Sequence, residues 1–157
     1  QERLIEDTGK GSRVLGITME DLEDIMNIRQ RIEGLAAYYA AVNMTDEGKA
    51  ELAHIVDLQD FYFSKWDTDH LRQADDMFHD AICELSQRNV VRDTLVPLHR
   101  KTRRYRRTAM KDEARAKHSL QEHKAILAAM QAGIPEKAQQ AMDDHITQVK
   151  AYMLKEK

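Results

Sequence analysis

The sequence predicts an all-α protein, an antiparallel bundle of about six or seven helices, on three observations. Glycine and proline are scarce, 6 and 2 in 157 residues, which leaves few of the turn residues that a β architecture needs. Charged residues reach 32% against a typical ~25%, a balance suited to long solvated helix faces. Apolar residues then recur at three- and four-residue spacing through long stretches separated by short polar breaks. Short connections make successive helices antiparallel neighbours, and 157 residues fit one domain with one core.

The leader, residues 1–16, carries Gly9, Gly11 and Gly16 and reads as a turn or linker. Thr18 is an N-cap with Asp21 three residues on, and Leu22, Ile25, Ile28, Ile32, Leu35 and Tyr39 trace a first helix as far as Asn43. Thr45, Asp46 and Glu47 start a second, with Leu52, Ile55, Val56 and Phe63 on its stripe, ending near Asp67-Thr68-Asp69. A third runs from about Thr68 to Gln87. Asn89 opens a fourth with Val91, Leu95, Leu98, Thr102, Tyr105 and Ala109 on one face, and Pro97 is expected to kink it. The polar segment 111–117 marks a break. The fifth carries Leu120, Ile126, Leu127 and Met130 and stops at Gly133; Pro135 sits in the first turn of the last.

Charge and cysteine narrow the function classes. With 24 basic and 27 acidic residues the net charge is −3, so the chain as a whole is no counter-ion for nucleic acid or an anionic membrane. The run 100–107, with five arginines and a lysine, places Arg100, Arg103 and Arg107 opposite the apolar face of its helix and reads as solvated surface. The single cysteine, Cys83, closes no intrachain disulfide, and no apolar run approaches the ~18 residues of a membrane span or resembles a signal peptide. A cytoplasmic protein is expected. The chain begins at Gln1, and a piece of a longer protein is expected. The eight methionines at helical spacing read as adaptable core.

The informative residues are polar ones on apolar stripes. At 100° per residue, His123 lies among Leu120, Ile126, Leu127 and Met130, whereas His118 on the same helix points away. His145 lies among Ala138, Ala141, Met142, Val149 and Tyr152, and His79 follows Asp75 by one turn on a face shared with Ile82. His70 points outward; His54 and His99 are ambiguous. Three helices thus aim imidazole inward, and the i, i+4 spacing lets Asp75 and His79 reach one point. Asp75, His79, His123 and His145 form a candidate set for one divalent metal, zinc first, with nickel, manganese or iron as alternatives; three histidines and a carboxylate leave positions open for water or a ligand. The bundle is therefore expected to enclose a metal and ligand cavity. Arg29 sits mid-stripe between Ile25, Ile32 and Ala36 and needs an anion. Glu33, one turn on, supplies one as a structural pair; the carboxylate of a small metabolite is the other reading.

The ordered residues Asp75-Asp76-Met77-Phe78-His79, Asn89, Glu122-His123-Lys124-Ala125-Ile126 and Ala141-Met142-Asp143-Asp144-His145-Ile146 resemble the C-terminal ligand-binding (FCD) domain of the FadR subfamily of GntR-type bacterial transcription regulators. Arg29 and Glu33 fit that family's Arg-x-x-x-Glu element in the first helix. The resemblance covers residues 17–157 as a metal-dependent effector-binding helical domain. In residues 1–16, Leu4-Ile5 and Gly9-Lys10-Gly11-Ser12-Arg13-Val14 look like the end of a winged helix-turn-helix wing, with Ser12 where the family usually has Thr.

The resemblance implies a homodimer, a small carboxylate effector bound near Arg29, and metal ligands at Asp75, His79, His123 and His145. It implies contact with operator DNA only through an N-terminal domain that precedes this chain, with no DNA-binding residues here. The competing class is a mononuclear metalloenzyme on a helical bundle. A di-iron bundle needs two Glu-x-x-His motifs, and only Glu51 with His54 provides one. No convincing nucleophile or base shares the interior stripe with the histidines, so sensing without catalysis is expected.

Overall fold

The computed structural model describes residues 5–7, 12–14 and 16–155. Seven helices follow one another among the described residues: α1 (Met19–Val42), α2 (Asp46–Ser64), α3 (Thr68–Leu85), α4 (Asn89–Lys101), α5 (Arg103–Met110), α6 (Glu113–Gln131) and α7 (Pro135–Leu154). Ahead of them, β1 (Ile5–Asp7) and β2 (Ser12–Val14) pair antiparallel in the register Ile5↔Val14, Glu6↔Arg13, Asp7↔Ser12. The Gly9-Lys10-Gly11 part of the expected wing lies outside the described residues.

Side-chain oxygens set the helix starts. Thr18 Oγ1 accepts from the Asp21 N–H at 3.0 Å while the Thr18 N–H donates to the Asp21 carboxylate at 3.4 Å, a reciprocal box with Asp at the third position. Thr45 caps α2 from Gly48 at 3.0 Å, Asp67 caps α3 from His70 at 3.2 Å, and Asp112 caps α6 from Arg115 at 3.1 Å. Gly133, at φ +71°, closes α6, and Pro135 opens α7.

One boundary differs from the sequence expectation. Pro97 sits inside α4 without ending it, and the break comes at Thr102, which divides the expected fourth helix into α4 and α5. Thr102 Oγ1 lies 3.2 Å from both the Leu98 and His99 carbonyls, and an Arg106 Nη2 donates to the His99 carbonyl at 3.0 Å. The Leu98 carbonyl keeps its helical bond from the Thr102 N–H at 3.2 Å, and at the break the His99 carbonyl accepts from the Thr102 and Arg106 side chains.

α1 packs most extensively along α7, and α7 along α6; α2 pairs with α3 and closes the other side against α6. α1 approaches closely because its buried face is small: Gly34, Ala36, Ala37, Ala40 and Ala41. A Cβ at Gly34 would run into the Asp143 side chain of α7. Leu22, Met26, Phe78, Ile82, Ile126 and Met142 lie at the centre of the core, where burial supplies the main driving force. Among the described residues no helix is long and apolar enough to cross a membrane.

The α3–α4 turn holds the exposed Gln87 at φ +55°, a left-handed conformation that costs a residue with a Cβ roughly 1–2 kcal/mol. Gln87→Gly is expected to raise the unfolding free energy by about 0.5–1 kcal/mol after the added freedom of the unfolded chain is subtracted. Urea denaturation checks this; an unchanged or lower midpoint contradicts a strained turn.

Candidate metal centre

Asp75 and His79 stand one turn apart on α3, His123 near the middle of α6 and His145 near the middle of α7, and all four are at least 95% buried. The Nε2 atoms of His123 and His145 are 3.1 Å apart, and those of His145 and His79 are 3.4 Å apart. Asp75 Oδ1 lies 3.4 Å from His123 Nε2 and 3.8 Å from His79 Nε2. Ligands held at about 2.0–2.1 Å by one ion stand roughly 3.0 Å apart at right angles and roughly 3.4 Å apart in a tetrahedron. The two Nε2 separations and the Asp75–His123 distance fall in that range, while Asp75 Oδ1 stands somewhat farther from His79, at 3.8 Å; the three histidines alone form the close group.

The opposite edge of each ring explains the orientation. His79 Nδ1 faces Glu33 Oε1 at 3.0 Å, His123 Nδ1 faces Gln59 Oε1 at 2.9 Å, and His145 Nδ1 faces Glu122 Oε1 at 2.6 Å. Gln59 is itself oriented, because its Nε2 donates to the Ala74 carbonyl at 3.2 Å. An oxygen acceptor at every Nδ1 assigns the ring proton to that side, which leaves a bare lone pair on every Nε2. Three lone pairs and a carboxylate oxygen converging at such distances repel unless a cation lies between them. The donor set, imidazole nitrogen with one carboxylate and no thiolate, suits a borderline divalent ion.

Burial disfavours the charged form of the His79 and His123 rings. Desolvation pulls His79 down to about 4, outweighing the bond to Glu33 and the nearby Asp75. His123 is held well below the usual imidazole range by burial first and then by the neighbouring His145 and His79. Burial alone would raise the Glu33 carboxyl, yet the charges of Arg29 and His99 and its hydrogen bonds hold it well below the usual range. Glu122 is also lowered, since the bonds from His145 and Arg115 overcome its desolvation.

The five residues singled out in the sequence, Arg29, Asp75, His79, His123 and His145, are all buried, and several residues around them had no sequence expectation. Arg29, 1% exposed, resolves as a structural pair: its Nε donates to Glu33 Oε2 at 2.8 Å and its Nη2 to Oε1 at 3.3 Å. His99, left ambiguous, is buried and bridges Glu33 Oε1 at 2.9 Å and Asp80 Oδ1 at 3.1 Å. Arg106, within the run read as solvated, turns inward: its Nε lies 3.0 Å from Asp75 Oδ2 and its Nη1 pairs with Asp76. Arg100, Arg103 and Arg107 are exposed as expected. His118, His70 and His54 are exposed, as are Glu51 and Asn89, so none of them joins the cluster. The missed signals were i, i+3 and i, i+7 relations, Arg103 outward against Arg106 inward, and His99 three turns before Met110 on the buried side.

Next to the cluster lies a small recess, partly open to solvent. Arg29, Asp75, His79, Arg106, Arg115 and His145 line its polar side.

The FCD domain family matches residues 24–148. Among solved structures, the chain is similar to McbR/YncC of E. coli, at 19% identity and a TM-score of 0.84 over 98% of this chain and 78% of that one. It is also similar to a GntR protein of Rhodococcus sp. RHA1, at 23% identity and TM-score 0.76 over 98% and 73% of the two chains. A transcriptional regulator of the GntR family from Pseudomonas syringae pv. tomato DC3000 matches at 17% identity and TM-score 0.73 over 98% and 64%. No curated protein sequence matches the chain. At these identities the structural likeness speaks for the fold, and the family match carries the assignment: the chain belongs to the FCD domain family.

Proposed function

We propose that this chain is the effector-sensing domain of a metabolite-responsive transcription regulator of the GntR type and FadR subfamily. It binds one divalent metal ion through Asp75, His79, His123 and His145, and a small carboxylate beside Arg29. The observation that carries the metal is the close group of His79, His123 and His145, with Nε2 atoms 3.1 and 3.4 Å apart and Asp75 Oδ1 at 3.4 and 3.8 Å from two of them. When bound, the ion supplies a Lewis-acidic anchor for an anionic ligand. In this reading the regulator works as a homodimer and reaches operator DNA through a domain preceding residues 17–157. Residues 1–16 are then the end of that domain's wing and its linker; the β1–β2 pairing supports this.

Sensing rather than turnover follows from how the interior groups are used. Glu122, the carboxylate nearest to a metalloenzyme base, accepts from His145 and pairs with Arg115. Glu33 is enclosed by Arg29, His79 and His99. Neither is disposed to take a proton from a bound molecule.

Regulation needs a path from the site to the linker. Arg106 provides one: it holds Asp75 at one end, and the His99 carbonyl and Thr102 Oγ1 at the α4–α5 bend at the other. The residues flanking the bend reach the linker, since the Tyr105 hydroxyl donates to the Ile17 carbonyl at 3.4 Å and the Arg104 guanidinium lies against Gly16.

Three outcomes test this. Elemental analysis of purified protein is expected to find one divalent ion per chain; His123→Ala removes it, Gln59→Leu weakens metal affinity by about 10–100-fold through loss of the outer bond, and His118→Ala leaves it intact. Equal losses from His118→Ala and His123→Ala contradict the assignment. Arg29→Lys is expected to weaken binding of small organic acids, read by thermal shift, because a lysine cannot both replace the two bonds to Glu33 and offer a donor to a ligand; stabilisation by uncharged compounds alone contradicts the carboxylate. Zinc is expected to slow amide exchange in residues 102–111 and at Ile17, and Arg106→Gln to abolish that slowing while zinc still binds; an unchanged response contradicts the path.

A further inference from the structure

Basic charge is segregated in this chain. Residues 100–111 hold seven of its 24 basic residues and no acidic one, so the remainder carries 17 basic against 27 acidic side chains. The net charge of −3 therefore conceals a strongly positive segment on an acidic body. Arg106 is the one basic member turned inward, held by Asp75 and Asp76. Arg100, Lys101, Arg103, Arg104, Arg107 and Lys111 are exposed.

The buried Arg106 sets the phase of α5. At about 100° per residue, Arg104 and Arg107 stand roughly 160° and 100° from it, on the outer side. Lys111, which ends α5, continues the stripe of Arg104 and Arg107, and the three rise about 10 Å along the helix. Cations set in a line, rather than around a point, fit a linear polyanion better than a compact one. The phosphates of one DNA strand climb about 3.4 Å per nucleotide, so the stripe spans the rise of about three of them.

This charge is not neutralised within the protein. Asp76, which holds Arg103 at 3.4 Å, is shared with Arg72 at 3.0 Å and with Arg106. Arg100, Lys101, Arg104, Arg107 and Lys111 form no ion pair among the described residues.

The position of the face points to the partner. The Tyr105 hydroxyl bonds the Ile17 carbonyl and the Arg104 guanidinium lies against Gly16, so α5 adjoins the place where, in the reading above, the DNA-binding domain joins the bundle. DNA held by that domain meets this face at the effective concentration of a short tether, on the order of millimolar.

We propose that Arg100, Arg104, Arg107 and Lys111, with Lys101 and Arg103 beside them, form a second DNA-contacting surface that grips the phosphate backbone next to the operator without reading its sequence. This rests on the regulator reading and amends its expectation that all DNA contact lies ahead of residue 17. At such an effective concentration a contact with a Kd of about 10⁻⁴ M raises operator affinity about tenfold.

Fluorescence anisotropy of this chain with a short labelled duplex of arbitrary sequence tests it. Binding is expected at about 50 mM salt, with a slope of log K against log salt of about −3 to −4, as for four neutralised phosphates. Arg104→Gln with Arg107→Gln is expected to weaken it at least about fivefold and to flatten the slope by about 2. Lys49→Gln with Lys137→Gln makes the same change of charge in the first turns of α2 and α7, at the opposite end of the bundle, and is expected to alter affinity less than about twofold. Polyglutamate at equal charge concentration is expected to compete at least about tenfold more weakly than unlabelled duplex. Equal competition indicates an acidic protein partner and overturns the inference, as do absence of binding at low salt and equal losses from the two paired variants. Zinc content of the same samples reports on the metal separately: zinc uptake without DNA binding overturns this inference alone, and DNA binding without zinc uptake overturns the metal reading alone.

Discussion

Every helix of this bundle is tied to one requirement, that a buried cluster of polar side chains be fully satisfied. α1 contributes Arg29 and Glu33, α2 Gln59, α3 Asp75 and His79, α4 His99, α5 Arg106, α6 Glu122 and His123, and α7 His145. An unpaired group in such a place costs several times what a hydrogen bond returns. The cluster therefore fixes how the helices rotate against one another more tightly than the surrounding methionine and leucine packing does. Arg72 Nε is the one buried side-chain atom without a partner among the described residues, and it lies outside the convergent set. A buried network of this kind adds little net stability against an apolar core of equal volume. In the proposed function its value lies in the ligand binding it would support.

The arrangement also connects the site to the outside by two routes. From His79, a chain of contacts runs through Glu33 to His99 and on to the half-exposed Asp80. From Asp75, Arg106 runs to the carbonyls at the α4–α5 bend. The second ends at the α4–α5 bend and the first passes through His99 of α4, three residues before it, so this segment touches the partners of two candidate ligands. A continuous helix through Thr102 would have no spare carbonyl for Arg106 and no bend to shift. The interruption is a consequence of the same side-chain competition that links it to the site.

Much of this was legible in the sequence. The scarcity of glycine and proline, the caps Thr18 and Thr45 and the 3.6-residue period gave the all-α bundle, and the histidines on apolar stripes gave the interior set. Helical phase separates His123 from His118 because each helix buries one side only. What stayed hidden depends on contacts between helices. Pro97 drew the expected kink because proline lacks an N–H, but the bend follows Thr102 and Arg106, whose partners lie on other turns and on α3. His99 stood at a stripe edge, where phase alone cannot tell a buried residue from a flanking one. Glu122 is turned about 100° from His123, which reads as exclusion from the site until α7 brings His145 Nδ1 against it.

The central claim is that one ion joins three imidazoles and a carboxylate. Crystals of the zinc-loaded chain, measured on both sides of the zinc absorption edge, test it most directly. The account predicts a single anomalous peak about 2.0–2.2 Å from the Nε2 atoms of His79, His123 and His145 and from a carboxylate oxygen of Asp75. A peak bound only at exposed residues such as His70 or His118, or no peak among the four side chains, would contradict it.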